Sequence, residues 1–143
     1  MVRSKVMVVA LRIADDIEVL LLKRPASKGS VWQPVTGNVE EGESVQAAAV
    51  RELEEETGLR GAAAVHPVGH IHRFSKSTAH GPADFEEHVF AAYVRLGSQV
   101  KLSAEHTESK WVSPEEAQRL LPQPGVQDGV RRAVELIARG GAQ

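Results

Sequence analysis

The stretch from Ser44 to Gly58 of this 143-residue chain leaves little conformational choice. Ser44 is a good helix N-cap, alanines fill the middle, and Gly58 stands where a left-handed residue ends a helix, so a helix is predicted over Ser44–Thr57. Its charges are placed against the usual rule. Glu52, Glu55 and Glu56 lie at i, i+3 and i+4 and share one face, in the half where the helix dipole is already negative. Each such like-charge pair costs about 0.2–0.5 kcal/mol. A local rule broken in this way marks function. A hard cation rewards crowded carboxylates: Mg²⁺ takes oxygen ligands, retains several waters, and is completed by substrate phosphates. On composition alone, a glutamate-rich helix is an ordinary solvated surface, so the spacing has to decide.

The rest of the chain supplies strands and two more helices. "KVMVVALRI" and "EVLLLKR" are strand-like runs separated by "ADDI", which places strands at Lys5–Ile13 and Ile17–Lys23 as a hairpin. "RPASKGSVWQPVTGNVEEGE" is loop with a short extended piece around Val31–Thr36. "AAAVHPVGHIHRF", "EEHVFAAYVRL" and "SKWVS" are further strands, with "GPAD" expected as a loop. Ser113-Pro114-Glu115-Glu116 opens a helix, and Val126–Arg139 is a final amphipathic helix with Val130, Ala133, Val134 and Ile137 on one face. Strands flanked by helices on both sides predict an α/β/α layered fold, and no linker divides residues 1–143, so one domain is expected.

Net charge is −2 and pI about 6.3, which excludes the basic footprint of a nucleic-acid-polymer binder. No apolar run is long enough to span a bilayer, and the start reads as a strand rather than a signal peptide. There are no cysteines, hence no disulfides, thiolate metal sites or cysteine nucleophiles, and a cytoplasmic location is expected.

The full spacing is Gly37, five residues, Glu43, seven residues, Arg51-Glu52-Leu53, one residue, Glu55-Glu56, one residue, Gly58-Leu59. At this composition it arises by chance on the order of once in a million such chains. It resembles the Nudix box, and the order of elements around it is similar to that of the Nudix hydrolases over nearly the whole chain. The resemblance implies an α/β/α sandwich with a mixed sheet and metal-dependent cleavage of a nucleoside diphosphate linked to another group. It implies that Glu52, Glu55 and Glu56 bind Mg²⁺, with Mn²⁺ as an alternative, and that the Gly37 carbonyl adds a ligand. The resemblance also implies that Arg51 pairs with Glu43 and fixes the loop against the helix. Glu105, in "LSAEHTESKWV", is the candidate for a further ligand or base, while His106 is read as structural or exposed. Arg24, at the end of "EVLLLKR", is a candidate for substrate phosphate; Lys23, alternating with it, points to the opposite face. Glu40, Glu41 and Glu54 are expected to be solvated.

For the substrate, "VWQPVTGNVEEGES" and "EHTESKWV" resemble dihydroneopterin triphosphate pyrophosphatases, which also act on dATP. Trp32 and Gln33 suit a flat heterocycle, one stacking and the other hydrogen-bonding; core packing of Trp32 is the competing reading. Branches acting on ADP-ribose, diadenosine polyphosphates or coenzyme A match less well, and the oxidised-purine branch stays open. His70 and His72 alternate on one strand; a zinc site would need three or four converging ligands, so pocket lining or surface is the ordinary reading, with His70, His72 and Arg73 as candidates to touch substrate phosphate. The expected reaction is attack of water on an anhydride phosphorus of a nucleoside or pterin triphosphate, giving a monophosphate and pyrophosphate. A non-catalytic nucleotide-sensing module is the rival. A homodimer is also open, since the final helix either lines an interface or caps the sheet.

Overall fold

Strand β1 (Val2–Ile13) organises the molecule. Val6, Val8 and Ala10 enter one core while Met7, Val9 and Leu11 enter the other, each at most 1% exposed. A strand covered on both faces needs apolar residues at every position, which is why "VMVVAL" is unbroken. The computed structural model describes residues 2–60 and 63–140.

β1 turns into β2 (Ile17–Lys23) as the expected antiparallel hairpin, with Leu11 opposite Val19 and Ile13 opposite Ile17. The hairpin then forks. Lys5–Val8 of β1 pair instead with β4 (Val35–Asn38), and Leu22 and Lys23 of β2 pair with β3 (Trp32–Gln33). The extended piece foreseen around Val31–Thr36 is thus two short strands filling the fork. A single 3-10 turn at Ala26–Lys28 lies ahead of them. On its other edge β1 runs parallel to β6 (Gly81–Val94), which pairs antiparallel with β5 (Ala63–Thr78). β7 (Glu108–Val112) adds to β2. The result is a mixed sheet of order β3-β2-β1-β6-β5, with β4 also on β1 and β7 on β2.

"GPAD" corrects the sequence reading: Gly81–Asp84 is not loop but the start of β6, with Thr78 opposite Gly81 and Ser77 opposite Pro82. The turn is only Ala79 and His80. Pro82 is tolerated because pairing with β1 begins at Asp84, so here β6 has a partner on one side alone and a missing N–H costs little. Gly81, at φ 98°, supplies the left-handed turn end.

Helix α1 (Val45–Thr57) starts as expected, with the Ser44 hydroxyl accepting from the Ala47 N–H at 3.1 Å, and ends at Gly58 with φ 72°. Its buried Ala48, Ala49 and Leu53 cover Val6, Val8, Leu20 and Leu22. Helices α2 (Pro114–Leu120) and α3 (Pro124–Ala138) cover the other face through Ala117, Val130, Ala133 and Ile137. The final helix packs on the sheet, one of the two roles foreseen for it. The fold is an α/β/α sandwich with a mixed sheet. Among the described residues no helix is long and apolar enough to cross a membrane.

Candidate metal and substrate cleft

The fork decides where the box residues meet. β4 carries Gly37 beside α1, so close that a Cβ on Gly37 would lie 1.8 Å from Glu52 Oε2. Only glycine leaves the Glu52 carboxylate its place. Arg51 ties the two segments together. Its Nε and Nη2 donate to both Glu43 oxygens at 2.7 and 2.9 Å, and Nη2 also donates to the Asn38 carbonyl at 2.9 Å. Its Nη1 reaches Glu52 and Glu55 at 3.4 and 3.3 Å. The guanidinium holds the Glu43 carboxyl down to about 2. Arg51 and Glu43 therefore brace the site from its side and do not line it.

The cleft has a volume of about 660 Å³ and is lined by Glu52, Glu55, Glu56 and Glu105, by Gly37 and Gln33, and by Lys5, Arg24, Lys28 and Lys76. Sequence-separated acids thus meet in one place. Glu56 is the most confined of them, 2% exposed, and its Oε2 has no hydrogen-bond partner. Burial first, then the charges of Glu52, Glu105 and Glu55, push its carboxyl up to about 8, against the pull of Arg24. Burial likewise raises Glu52, opposed by Arg51.

His106, expected to be structural or exposed, is buried in contact with this group. The Gln33 amide nitrogen donates to His106 Nε2 at 3.0 Å, which places the ring proton on Nδ1, 3.3 Å from Glu56 Oε1. Burial lowers the imidazole below its ordinary range, in keeping with a neutral ring. Its role was missed because an Asp, Glu or His on a loop carries no periodic signal; only the adjacency to Glu105 hinted at it.

Other residues lie elsewhere. Trp32 is not in the cleft. Neighbouring strand residues face opposite sides, so with Gln33 turned to His106, Trp32 packs against the core under α2 and α3, with Lys110 and Lys23 over its ring at 4.6 and 5.7 Å. This corrects the stacking role in favour of packing. Lys23, on that face as expected, pairs with Glu108 at 3.4 Å. His72 lines an adjoining cavity and contacts Glu87 at 3.0 Å. His70 instead faces Asp128 at 3.4 Å and Arg73 pairs with Glu86 at 3.1 Å, so neither reaches the cleft.

A divalent ion suits this donor set: all-oxygen, acidic, with one buried carboxylate oxygen unpartnered and a glycine cradle beside a second carboxylate. As they stand, among the described residues no three His, Asp or Glu side chains are gathered tightly enough to hold an ion, since Glu52 and Glu55 lean on Arg51. They share the cleft and the helix face that would let them turn inward.

Comparison with known proteins agrees with this architecture. The chain is 41% identical over 118 residues to the octanoyltransferase of Myxococcus xanthus, a match over 82% of this chain that spans only 32% of that protein. It is 33% identical over 112 residues to the CTP pyrophosphohydrolase of Escherichia coli, covering 77% of each. Among solved structures, a C. elegans Ap4A hydrolase complex superposes with TM-score 0.79 at 24% identity, covering 96% of this chain and 98% of that one. The E. coli dihydroneopterin triphosphate pyrophosphohydrolase superposes with TM-score 0.76 at 24% identity, covering 92% and 94%. At that identity these two share the fold. The NUDIX domain model matches residues 1–134, and the residues it takes in include every member of the box that the fork and α1 bring together. The chain belongs to the Nudix family.

Proposed function

We propose that the protein is a divalent-metal-dependent hydrolase that cleaves a phosphoanhydride bond of a nucleoside triphosphate, giving a monophosphate and pyrophosphate. The observation that carries this is a cleft lined at once by four carboxylates and by four cations: Lys5, Arg24, Lys28 and Lys76, none of which has an ion-pair partner among the described residues. Unpaired cations beside crowded acids suit a polyanion bridged to the acids by metal. The similarity to a CTP pyrophosphohydrolase supports a triphosphate and favours a dNTP or NTP over a pterin triphosphate.

Glu52, Glu55 and Glu56 would hold the ion, with the Gly37 carbonyl as a further ligand; Mg²⁺ is the natural occupant and Mn²⁺ an alternative. When bound, such a cation screens phosphate charge and polarises water. The chain's own groups do the rest. Arg24 and the lysines orient the phosphates and neutralise the charge that builds on them. Glu105, exposed in the cleft, accepts the proton of the attacking water as the new P–O bond forms and the bridging P–O bond breaks. Gln33 fixes the His106 tautomer, with the ring Nδ1 facing Glu56. A soluble, metal-dependent enzyme of small nucleotides follows, and a cytoplasmic location fits it.

The test is turnover of the common dNTPs and NTPs, 8-oxo-dGTP, dihydroneopterin triphosphate, ADP-ribose and diadenosine tetraphosphate with Mg²⁺, read as phosphate after added pyrophosphatase. A triphosphate should be turned over, and Glu56→Gln should lower kcat by ~100-fold or more. Near-normal turnover in that variant would sink the assignment.

A further inference from the structure

Beyond the carboxylates the cleft continues into a second cavity of about 390 Å³, a size that suits a heterocycle. The two are continuous, sharing Lys5, Arg24, Gln33, Thr36 and Lys76 among their linings. The second cavity contains a group that phosphate chemistry does not use. Glu87, in the middle of β6, is 4% exposed and lines the cavity wall. Its Oε1 meets His72 Nδ1 at 3.0 Å; its Oε2 has no side-chain hydrogen bond among the described residues.

The pair is built in rather than incidental. His72 is wedged at the start of α3, where a Cβ on Gly125 would lie 2.0 Å from His72 Nε2. Glycine at that point makes room for the ring that aims Glu87. On the other side His72 stacks on Phe74 at 4.9 Å, and Phe74 on Phe85 at 5.2 Å, so the imidazole cannot swing away. Burial raises the Glu87 carboxyl, while His72, Lys5 and Lys76 oppose that shift and favour the carboxylate. A carboxylate accepts hydrogen bonds and offers none. Leaving it facing another acceptor in a confined site is costly.

We propose that this cavity is the base subsite and that Glu87, positioned by His72, selects a nucleobase with an exocyclic amino group over its keto counterpart. The amino N–H donates to Glu87; uracil or hypoxanthine would set a carbonyl oxygen against it. The inference rests on the nucleotide reading given above and narrows it to amino-bearing bases.

The test is equilibrium binding of CMP, UMP, AMP and IMP to the full chain by titration calorimetry, followed by kcat/KM for CTP and UTP. CMP and AMP should bind ~10-fold or more tightly than UMP and IMP, since a site that pairs a polar group rejects an analogue lacking it. Glu87→Gln, whose amide both donates and accepts, should bring the ratios to within about 3-fold. Gly125→Ala, which displaces the ring that aims Glu87, should weaken the same preference. Equal binding of amino and keto bases, a preference that survives in a folded Glu87→Gln, or no binding of any monophosphate at millimolar concentration would each overturn the proposal. A base preference without hydrolysis would remove the hydrolase reading and leave this one standing. Hydrolysis blind to the base would do the reverse.

Discussion

Glu56 is a carboxyl that the fold confines without satisfying. An ordinary glutamate ionises near 4.5, whereas Glu56 in the folded chain does so at about 8. Between those values the folded state holds a proton that the unfolded chain has released, so the stability Glu56 contributes falls as pH rises from about 4.5 through 8. Without divalent metal, Glu56→Gln should therefore gain on the wild type by ~1–3 kcal/mol on going from pH 5 to pH 8, read as the difference between their denaturant midpoints. Mg²⁺ should reverse the order. An equal pH dependence in both proteins would mean that the strain lies elsewhere. Gly37 poses the complementary case. In Gly37→Ala the new methyl meets the end of a flexible side chain, the Glu52 carboxylate, so the fold should survive. The thermal shift on adding Mn²⁺ should fall to less than about a third of the wild-type value, because the displaced carboxylate leaves the cradle. An undiminished shift would argue against Gly37 and Glu52 as neighbours in a metal site.

The element that matters most is α1, and Arg51 is what orients it. One guanidinium spans Glu43, the Asn38 carbonyl, Glu52 and Glu55, thereby joining the loop, β4 and the helix face. Arg51→Lys keeps the charge and loses the fork of donors. It should cost about 1 kcal/mol of stability and ~10-fold in kcat/KM, in a comparison of urea midpoints and steady-state rates. Full activity would show that a point charge suffices. This element was also the most legible from sequence. Ser44, Gly58 and the glutamate spacing follow from helix geometry alone, which is local. Trp32 and Gln33 were harder to place, because which of two adjacent strand residues faces the cleft depends on the register of β3 within the fork, set by residues far away in sequence. "GPAD" was misread for a related reason: proline is excluded only from strands paired on both edges, and where β6 gains its second partner is a property of the sheet.

At the scale of the whole molecule, the sheet separates two jobs. The acids stand on α1, over the core of Val6, Val8 and Leu20, while Glu87 and the α3 start lie on the side of Met7 and Val89. The layer order was legible from alternating strand and helix signals; the joining of the two sides through one cleft was not, because it depends on the opening between β1 and β2. That opening bears on chain continuity. β3 and β4 are held by β2 and β1, not by the backbone that precedes them, and the bend from Ala26 to Gly29 contributes no buried residue. A protease cut between Lys28 and Gly29 should thus leave two fragments, residues 1–28 and 29–143, that stay associated through the sheet and both cores and elute together on gel filtration. Fragments that part without denaturant would contradict this. The active chain would be one that topology, rather than covalent connection, keeps whole.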